Sequence, residues 1–528
     1  MATYLTARRK FLQQSLTHLS TNKLYRYRHV HWYYAFRLLK AQFYNEMSRE
    51  SDSHGADRGA LENLRAIQKI AEVRGDHAMT ILASLLEGLI LLKSDKDEKQ
   101  PEKVQSCLAQ VAKFQLDDSV QIIQLQVLYH ILDFASSLNI DTPDGTAQKL
   151  RQLQKSVDDC DNWGSVNADF RVPVKKQSSS SKTISADTAG IIIAGEEQSP
   201  NDFVTMTFMT KMELRALVFT FSGLAAMHKP SQATRSPDLL KEALKILETW
   251  DAATQGTSYG PPLPLAQAMK QRSWRTDGQV YLCSVLALLA ASHCHWKTAR
   301  EYMDKILELI SPETPPGLRL LSYYLAGAYL QGTGQLPDAM EIFQSKCFAL
   351  DSTNGACFQA GFGEVALLAG LNRLWIMQHQ SCRNDYETTE LVEELSSHCN
   401  NHWNKDLRTA WHNVVAALVT DPPQQLNQQK VHIHAAMGGS RETSNVLGAA
   451  ITLCIMRSRF FENVIGDQAL KSARAASKQA QRSGNMLWQS VADGMLAHSY
   501  EVQSQRHESH QEMEKATAEA KRAFTHDT

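Results

Sequence analysis

Glycine and proline are both scarce in this chain of 528 residues, with 26 and 15 occurrences respectively. A β-sandwich or β-barrel needs turn residues at short and regular intervals, and this sequence does not supply them. Hydrophobic residues make up 43% of the chain and charged residues 21%, which is typical of a protein that folds around a buried core. The composition therefore favours helices joined by short polar turns.

Neither sign of charge is in excess, because 55 Lys and Arg residues face 56 Asp and Glu residues and leave a net charge of −1. Neutralising the phosphates of DNA takes clustered Lys and Arg side chains. The balance argues against direct DNA binding as the main activity, although it leaves local basic patches open.

Cysteine occurs nine times, without a C-x-x-C pair or a regular spacing. A chain of this length builds its core without disulfides, so we expect free and mostly buried thiols. Apolar runs such as 280–291 are too short to span a bilayer. We find no signal-peptide hydrophobic region beside a small-residue cleavage site, and we expect no membrane association.

The first 45 residues lack Asp and Glu while carrying several Arg and Lys residues. Transit peptides share this Arg-rich and acid-poor composition. The same stretch is also rich in aromatic and leucine side chains, which is typical of a packed helix. We therefore favour a basic first pair of helices over a presequence.

Amphipathic helices separated by polar turns recur along the chain. Apolar residues at three- and four-residue spacing predict helices that pack as hairpins. In the first part we predict helices over 29–47, 60–74, 78–92, 102–114, 120–138 and 147–157. In the second part we predict helices over 203–228, 237–249, 277–292, 296–310, 317–332, 336–348, 448–457, 464–482 and 486–503, and a charged capping helix over 508–524.

The segment 171–202 differs from its surroundings because it is rich in serine and small residues and lacks helical periodicity. This texture predicts a flexible loop or linker. Its residues Ile191, Ile192 and Ile193 fit either a short strand that joins a neighbour or grips a partner, or a local contact with no further role, which we favour. The predicted organisation is thus helical repeats over 1–170, a linker over 171–202, and helical repeats over 203–528.

A repeat signature of tetratricopeptide (TPR) type is clearest within 322–351. TPR units are helix pairs of 34 residues that need small residues where the two helices cross. Because one hairpin cannot bury its apolar face alone, neighbouring hairpins must stack, and we predict an all-α, TPR-like α-solenoid. The clearest unit has Ala326, Gly327, Leu330, Gly334, Ala339 and Phe343 at the signature positions; weaker matches are Ala287, Ala299 and Met303 before it, and Trp488, Val491, Ala492 and Met495 near the end.

No motif for catalysis or metal binding stands out. The His-x-His pairs at 29–31, 293–295 and 432–434 point in different directions on a helix, so each pair does not readily share one ion. A Walker A loop, a G-x-S-x-G motif and an H-E-x-x-H motif are all missing. The glycine-rich segment around Gly361 and Gly363 has no Lys-Ser/Thr after it, and the acid pairs at 196–197 and 393–394 resemble solvated faces. We predict no catalytic, metal-binding or cofactor-binding residue and no small-molecule substrate.

Aromatic residues crowd into the stretch 25–36. Alternation in its first half indicates an extended or looped chain. Aromatic rings beside basic residues form surfaces that bind peptides or stack single-stranded nucleic acid. Helix packing with a few exposed rings is the simpler interpretation, and we favour it. The cluster comprises Tyr25, Tyr27, His29, His31, Trp32, Tyr33, Tyr34 and Phe36.

Three diffuse segments carry a family resemblance. They are HWYYAFRLLKAQFYNEM followed by LENLRAIQKIAEVRGDHAMTILASLLEGLILL, then MELRALVFTFSGLAAMHK with LLKEALKILETW, and finally LKSARAASKQAQRSGNMLWQSVADGMLAHSYE. With the helices between them they cover most of the chain, and they resemble the cohesin loading factor family. The serine-rich and proline-containing insertions are similar to those of fungal members.

The resemblance implies a non-enzymatic TPR subunit of the cohesin loader, located in the nucleus on chromatin. Members of this family enclose the N-terminal segment of a large HEAT-repeat loader of Nipped-B-like type, and the pair loads cohesin for sister-chromatid cohesion. Contact with cohesin and with chromatin is then indirect. A TPR superhelix offers a long groove that suits an extended peptide, but the resemblance identifies no individual binding residue.

Members of the family usually carry further repeats ahead of the region that matches from His29 onward, and here that region begins close to Met1. Either N-terminal repeats are missing from this chain, or this branch of the family is short. The alternative function is a TPR adaptor of a cytoplasmic complex, such as a co-chaperone. Its carboxylate clamp needs Lys, Arg and Asn on successive inner helices, a spacing that we do not identify here.

Overall fold

The computed structural model describes residues 29–47, 53–93, 100–114, 117–138, 141–159, 169–176, 184, 188, 190–227, 229, 233–249, 265–351, 355–359, 362–420 and 423–524. The chain forms two compact units. Unit 1 comprises Met1–Ser136, Lys149–Leu214 and Tyr259–Pro262, and unit 2 comprises Ser137–Gln148, Arg215–Ser258 and Leu263–Thr528.

Helices in pairs, followed by one small sheet, make up the first part of the chain. The elements are α1 Val30–Met47, α2 Ser53–Arg74, α3 His77–Lys93, α4 Gln100–Ala112, a 3₁₀ turn at Asp118–Val120, α5 Ile123–Ser137, α6 Pro143–Asp158, β1 Asp169–Lys175, β2 Ile192–Ile193 and β3 Asn201–Thr207.

The rest of the described chain is helical. The elements are α7 Lys211–Met227, α8 Ser236–Glu248, α9 Leu265–Ser292, α10 Trp296–Leu309, α11 Pro316–Gly332, α12 Leu336–Phe343, α13 Ala356–Gln359, α14 Gly363–Ile376, α15 Asp385–Cys399, α16 Lys405–Ala417, α17 Leu426–Glu442, α18 Val446–Phe461, α19 Asp467–Ser483, α20 Met486–Val502 and α21 Arg506–Phe524; short 3₁₀ turns lie at Ala233–Arg235, Lys346–Phe348 and Gln380–Cys382.

The predicted helices are largely confirmed, with differences at their ends. Helix α2 begins at Ser53 rather than at 60, α9 begins at Leu265 rather than at 277, and α12 ends at Phe343 before a 3₁₀ turn. The prediction assigns no individual helices between 349 and 447, where the structure places α13 to α17. A polar first turn explains the late predicted start of α2, because it carries no apolar periodicity. Helix α9 instead begins with the exposed apolar residues Leu265 and Met269, which the sequence analysis did not assign to a helix.

The prediction of a linker over 171–202 is wrong for those of its residues that form strands. Residues 171–175, 192–193 and 201–202 lie in strands of an antiparallel sheet with the order β1-β3-β2, and the strand β3 replaces the predicted start of a helix at 203. In β1, Phe170, Val172 and Val174 are buried while their neighbours face solvent, which is the period-two pattern of a half-buried strand. Pro173 is tolerated because β1 lies at the edge of the sheet.

Two of the three isoleucines of this segment, Ile192 and Ile193, form strand β2, and Ile191 precedes it in a turn. Ile192 pairs with Val204 and Ile193 with Phe203, and Ile192 is completely buried. The strand interpretation is therefore confirmed over the local contact that the sequence favoured. The serine-rich stretch 177–183 and the glycine- and proline-containing loop 251–264 lie outside the described residues.

The TPR signature is confirmed where helices α11 and α12 cross in unit 2. A Cβ atom on Gly327 would lie 2.7 Å from Cε1 of Phe343, so only glycine lets the two helices approach this closely. Ala339 and Phe343 are fully buried beneath the crossing. Gly334 adopts a φ of +84° in the turn between the helices, a conformation that glycine adopts without steric cost.

Asparagine side chains define where several helices of unit 2 begin. The side-chain oxygen of Asn404 accepts hydrogen bonds from the backbone N–H groups of Asp406 and Leu407 at the start of α16, and Asn445 and Asn485 cap α18 and α20 by accepting one such bond each. Such caps satisfy backbone donors that the helix itself leaves unpaired. The repeat boundaries are thus fixed locally, by residues outside the apolar core.

The eight cysteines in the described part of the chain are free, and six of them are buried, which confirms the expectation of mostly buried thiols. Burial raises the pKa of Cys107 and of Cys357 to about 12, so both stay protonated. Among the described helices, none combines the length and the apolar character needed to cross a membrane.

Candidate partner-binding groove

An apolar groove with a volume of about 470 Å³ lies in unit 1. Helices α1 and α3 and the sheet form its walls, and none of its lining residues is charged. Leu39 and Ile191 line it and are 50% and 49% exposed, so part of the apolar surface of the groove is open to solvent. The main lining residues are Trp32, Phe36 and Leu39 from α1, Leu86 and Leu89 from α3, and Met206 from β3.

The aromatic wall of the groove comes from one face of α1. The rings of Trp32 and Phe36, one helical turn apart, stack with their centroids 5.6 Å apart. Leu39 follows at the next turn, so the three side chains form an i, i+4, i+7 stripe. This stripe is the part of the predicted aromatic cluster that lines a surface.

The other residues of the cluster within α1 pack inward. Tyr33 and Tyr34 are 4% and 0% exposed, and His31 is 2% exposed. Tyr25 and Tyr27 lie outside the described residues. The structure therefore divides the cluster into buried residues, as the simpler interpretation expected, and two groove-lining rings, Trp32 and Phe36, for which peptide binding stays a prediction.

Helix α3, which forms one wall of the groove, is buried on almost every side. It packs between α2 and α4 and against β1, and its residues from Ala78 to Leu85 are all buried. The sequence carries this signal, since HAMTILASLLEGLILL has scarcely any polar face, and a helix that is apolar all round must be covered all round. The small sheet provides the extra cover that a helix hairpin alone would lack.

Strand β3 contributes one polar atom to this apolar surface. The hydroxyl oxygen of Thr205, a lining residue, is buried and has no hydrogen-bond partner among the described residues. Unpaired buried hydroxyl groups are uncommon, because each loses its hydrogen bonds to water. A peptide in the groove would offer this hydroxyl a backbone donor or acceptor.

A buried carboxylate holds the sheet onto the helices. Asp76, 2% exposed in the turn between α2 and α3, accepts hydrogen bonds from the Tyr34 hydroxyl at 2.9 Å and from Arg74 Nε at 3.0 Å. Its second oxygen accepts the backbone N–H of Lys175 at 2.8 Å, and Arg74 also donates to the Lys175 carbonyl at 3.1 Å. The end of β1 is therefore fixed to the turn, and the sheet wall is fixed with it.

Burial also sets the protonation of two residues on the inner side of α1. Desolvation and the neighbouring Asp76 raise the pKa of Tyr34 well above its usual range, so the hydroxyl remains a donor. Desolvation lowers the pKa of His31 to about 4, although Asp202 opposes this shift, so His31 is neutral at physiological pH. Behind the groove, His31 and Tyr34 therefore keep one protonation state each near pH 7.

A second groove of unit 1, about 390 Å³ in volume, is polar. Two of its charged groups pair with each other, since Arg65 Nε lies 2.7 Å from Glu87 Oε1, and Gln68 donates to the same carboxylate at 2.8 Å. Gln110 also donates to the Glu72 carboxylate. Groups that satisfy each other leave little for a partner to recognise. The apolar groove is the better candidate for binding.

The described histidine pairs are not arranged as the ligands of one metal ion would be. His293 and His295 lie on either side of Cys294, which has a φ of +60° at the end of α9. His432 faces His412 of the neighbouring helix, with their Nδ1 atoms 2.9 Å apart, rather than His434. Within the described ranges, no group of three His, Cys, Asp or Glu side chains is arranged to hold a metal ion.

The glycine-rich segment and the acid pairs have simple structural explanations. Gly363 is the first residue of α14, and Gly361 lies outside the described residues. The acid pairs at 196–197 and 393–394 are exposed, as the sequence indicates. What the sequence did not identify is the groove itself, whose residues Leu39, Leu86, Ile191 and Met206 come from distant segments.

Comparison with known proteins agrees with this architecture. The family described as cohesin loading factor matches residues 9–507 of the chain. The solved structure of Scc4 in complex with Scc2n aligns with a TM-score of 0.58 at 11% sequence identity, over 98% of this chain and 78% of that chain. The structure of Scc4 in complex with Scc2n and Ctf19n gives the same values. No curated protein matches the sequence.

The structural similarity confirms the predicted fold class, since the described chain is helical apart from its three strands and shares the fold of Scc4. The family match extends over nearly the whole chain and confirms the resemblance carried by the three sequence segments.

Proposed function

Since this chain belongs to the cohesin loading factor family, we propose that it is a non-enzymatic scaffold subunit that binds the N-terminal segment of a large HEAT-repeat cohesin loader of Nipped-B-like type. The observation that carries this proposal is the uncharged groove of unit 1 with its half-exposed Leu39 and Ile191. The related Scc4 structures, which were solved with Scc2n, support the same kind of partner.

The chemistry of the groove defines the segment that fits it. A volume of about 470 Å³ accommodates a few large side chains, and the absence of charge in its lining selects aliphatic or aromatic ones. Burying such a side chain contributes about 1.5–3 kcal/mol. Two or three anchors of this kind, together with backbone hydrogen bonds, offset part of the free-energy cost of ordering a flexible segment as it docks.

The cellular role follows from the partner. With a net charge of −1, the chain has no general attraction for nucleic acid, so its contact with chromatin runs through the large loader and cohesin. We propose that it acts in the nucleus, where it supports the loading of cohesin for sister-chromatid cohesion during cell division.

The alternative, a co-chaperone-like adaptor of a cytoplasmic complex, requires a different surface. Such adaptors hold a C-terminal carboxylate through cationic side chains, whereas the groove of unit 1 contains none among its lining residues. The groove therefore favours an internal apolar segment over a charged chain terminus.

A co-purification experiment tests the proposed function. The tagged full chain is recovered from nuclear and cytoplasmic extracts, and the bound proteins are identified by mass spectrometry. We expect the large HEAT-repeat loader in stoichiometric amount, with cohesin in smaller amount. Recovery of a chaperone or a cytoplasmic assembly without the loader would favour the adaptor instead.

A further inference from the structure

The last helix, α21, packs on α20 through a buried cluster of charged groups. Asp493 of α20 is completely buried. Lys515 Nζ of α21 lies 2.5 Å from Asp493 Oδ2 and 3.7 Å from Glu512 Oε2. Glu519, one turn after Lys515, is 8% exposed and faces the same aspartate. Three carboxyl groups thus share one ammonium group at this contact.

The hydrogen bonds of this cluster are incomplete when every carboxyl group is ionised. Asp493 Oδ1, Glu512 Oε2 and Glu519 Oε2 are buried atoms without a hydrogen-bond partner among the described residues. A carboxylate has no donor to offer another carboxylate, and two such groups in contact repel. A single proton on Glu519 reduces the repulsion and supplies a donor for Asp493 Oδ1.

The neighbouring groups agree with this assignment. On α21, Lys515 favours ionisation of Glu519 and Glu512 opposes it; on α20, Asp493 opposes it strongly. Burial and the contact with Asp493 together raise the pKa of Glu519 to about 7. Cys454 of α18 also faces Asp493, but burial raises its thiol pKa to about 12, so it contributes no charge.

We propose that a proton shared between Glu519 and Asp493 fastens the C-terminal helix α21 to α20, and that loss of this proton near neutral pH loosens the helix. The proton lies on Glu519 and is donated to a carboxylate oxygen of Asp493; on deprotonation it passes to solvent. Docking of this helix is then a pH-sensitive property of the chain. The inference is independent of the groove and of the proposed partner.

The sign of the effect follows from linkage. Glu519 has a pKa of 4.5 when exposed and about 7 when α21 is docked, so the docked helix holds the proton more tightly. Docking is therefore most stable below about pH 4.5 and weakens as the pH rises through about 7. Between about pH 6 and about pH 8, the opening equilibrium of α21 should increase roughly tenfold.

Hydrogen–deuterium exchange of the full chain tests this directly. In the parent protein, the amide protection of α21 should fall roughly tenfold between the two pH values, after correction for intrinsic exchange. Glu519→Gln keeps the shape and supplies a permanent donor, so its protection should stay constant and exceed that of the parent at the higher pH. Glu508→Gln, an exposed position on the same helix, should behave like the parent.

A spectroscopic measurement identifies the proton itself. The infrared difference spectrum between the parent and Glu519→Gln should contain a protonated carboxyl band at about pH 6 that disappears by about pH 8. Protection of α21 that does not change with pH in the parent, or a difference spectrum without a protonated carboxyl band, would overturn the proposal.

Discussion

Removal of the Asp76 carboxylate should release the sheet from the helices of unit 1. Asp76→Ala leaves the Tyr34 hydroxyl, the Arg74 guanidinium and the Lys175 N–H without the acceptor that they share. Deleting one partner of a buried ion pair costs about 3–5 kcal/mol. Because the Arg74 side chain is 20% exposed and recovers some hydration, we expect a value near the lower end, about 3 kcal/mol.

This loss is best measured locally, since a chain with two units need not unfold in a single transition. A local cost of about 3 kcal/mol corresponds to roughly a hundredfold drop in amide protection. Hydrogen exchange of β1 should therefore accelerate roughly a hundredfold in Asp76→Ala. Tyr34→Phe, which removes one donor of the three, should have a smaller effect of about 1 kcal/mol.

Asp118→Ala provides the matched control. Asp118 is exposed in a 3₁₀ turn of the same unit, and surface substitutions usually change stability by less than about 0.5 kcal/mol. We expect exchange in β1 to accelerate most in Asp76→Ala, less in Tyr34→Phe and least in Asp118→Ala. Equal exchange in Asp76→Ala and Asp118→Ala would refute the role of the buried carboxylate as an anchor of the sheet.

Two further predictions concern packing and pH. Gly327→Ala places a Cβ 2.7 Å from Phe343 and should lower the stability of unit 2 by about 1–3 kcal/mol. Gly438→Ala lies on a helix with open space around it and should raise that stability by up to about 1 kcal/mol. Thermal unfolding compares the two variants, and equal effects on stability would contradict the close crossing of α11 and α12. Because burial lowers the pKa of His31 from 6.5 to about 4, the neutral imidazole stabilises unit 1 at neutral pH, and this contribution is lost as the pH falls from about 6.5 through 4. His31→Gln should make the acid dependence of urea unfolding less steep, and an unchanged slope would count against a buried neutral histidine.

The repeat architecture was predictable because its signals are local. Gly327, Ala339 and Phe343 stand at fixed offsets within one hairpin, and their close approach is a property of that hairpin alone. The sheet was missed because the strongest signal of β1, the alternation at Phe170, Val172 and Val174, falls beside a serine-rich stretch, and β2 has only two residues. The pairing of β1 with β3 joins residues about 30 positions apart, which the periodicity of a single segment does not encode.

The groove was predictable only in part. Trp32, Phe36 and Leu39 share one face of α1 by their spacing, so the sequence contains the stripe. Which face of α1 meets the core depends on Tyr34 and its contact with Asp76, 42 residues away. Ile191 and Met206 reach the groove only through the sheet, so the complete site emerges from tertiary pairing rather than from any single segment.

The central claim is that the apolar groove of unit 1 binds the N-terminal segment of the large loader, and Leu39→Asp tests it most directly. Leu39 is 50% exposed and lines the groove, whereas Val73 is 88% exposed on α2 and does not line it. Fluorescence anisotropy with a labelled N-terminal segment should show an affinity loss of about tenfold to a hundredfold for Leu39→Asp, and parent-like affinity for Val73→Asp. Equal affinity of the two variants would contradict the account and would place the binding surface elsewhere on the chain.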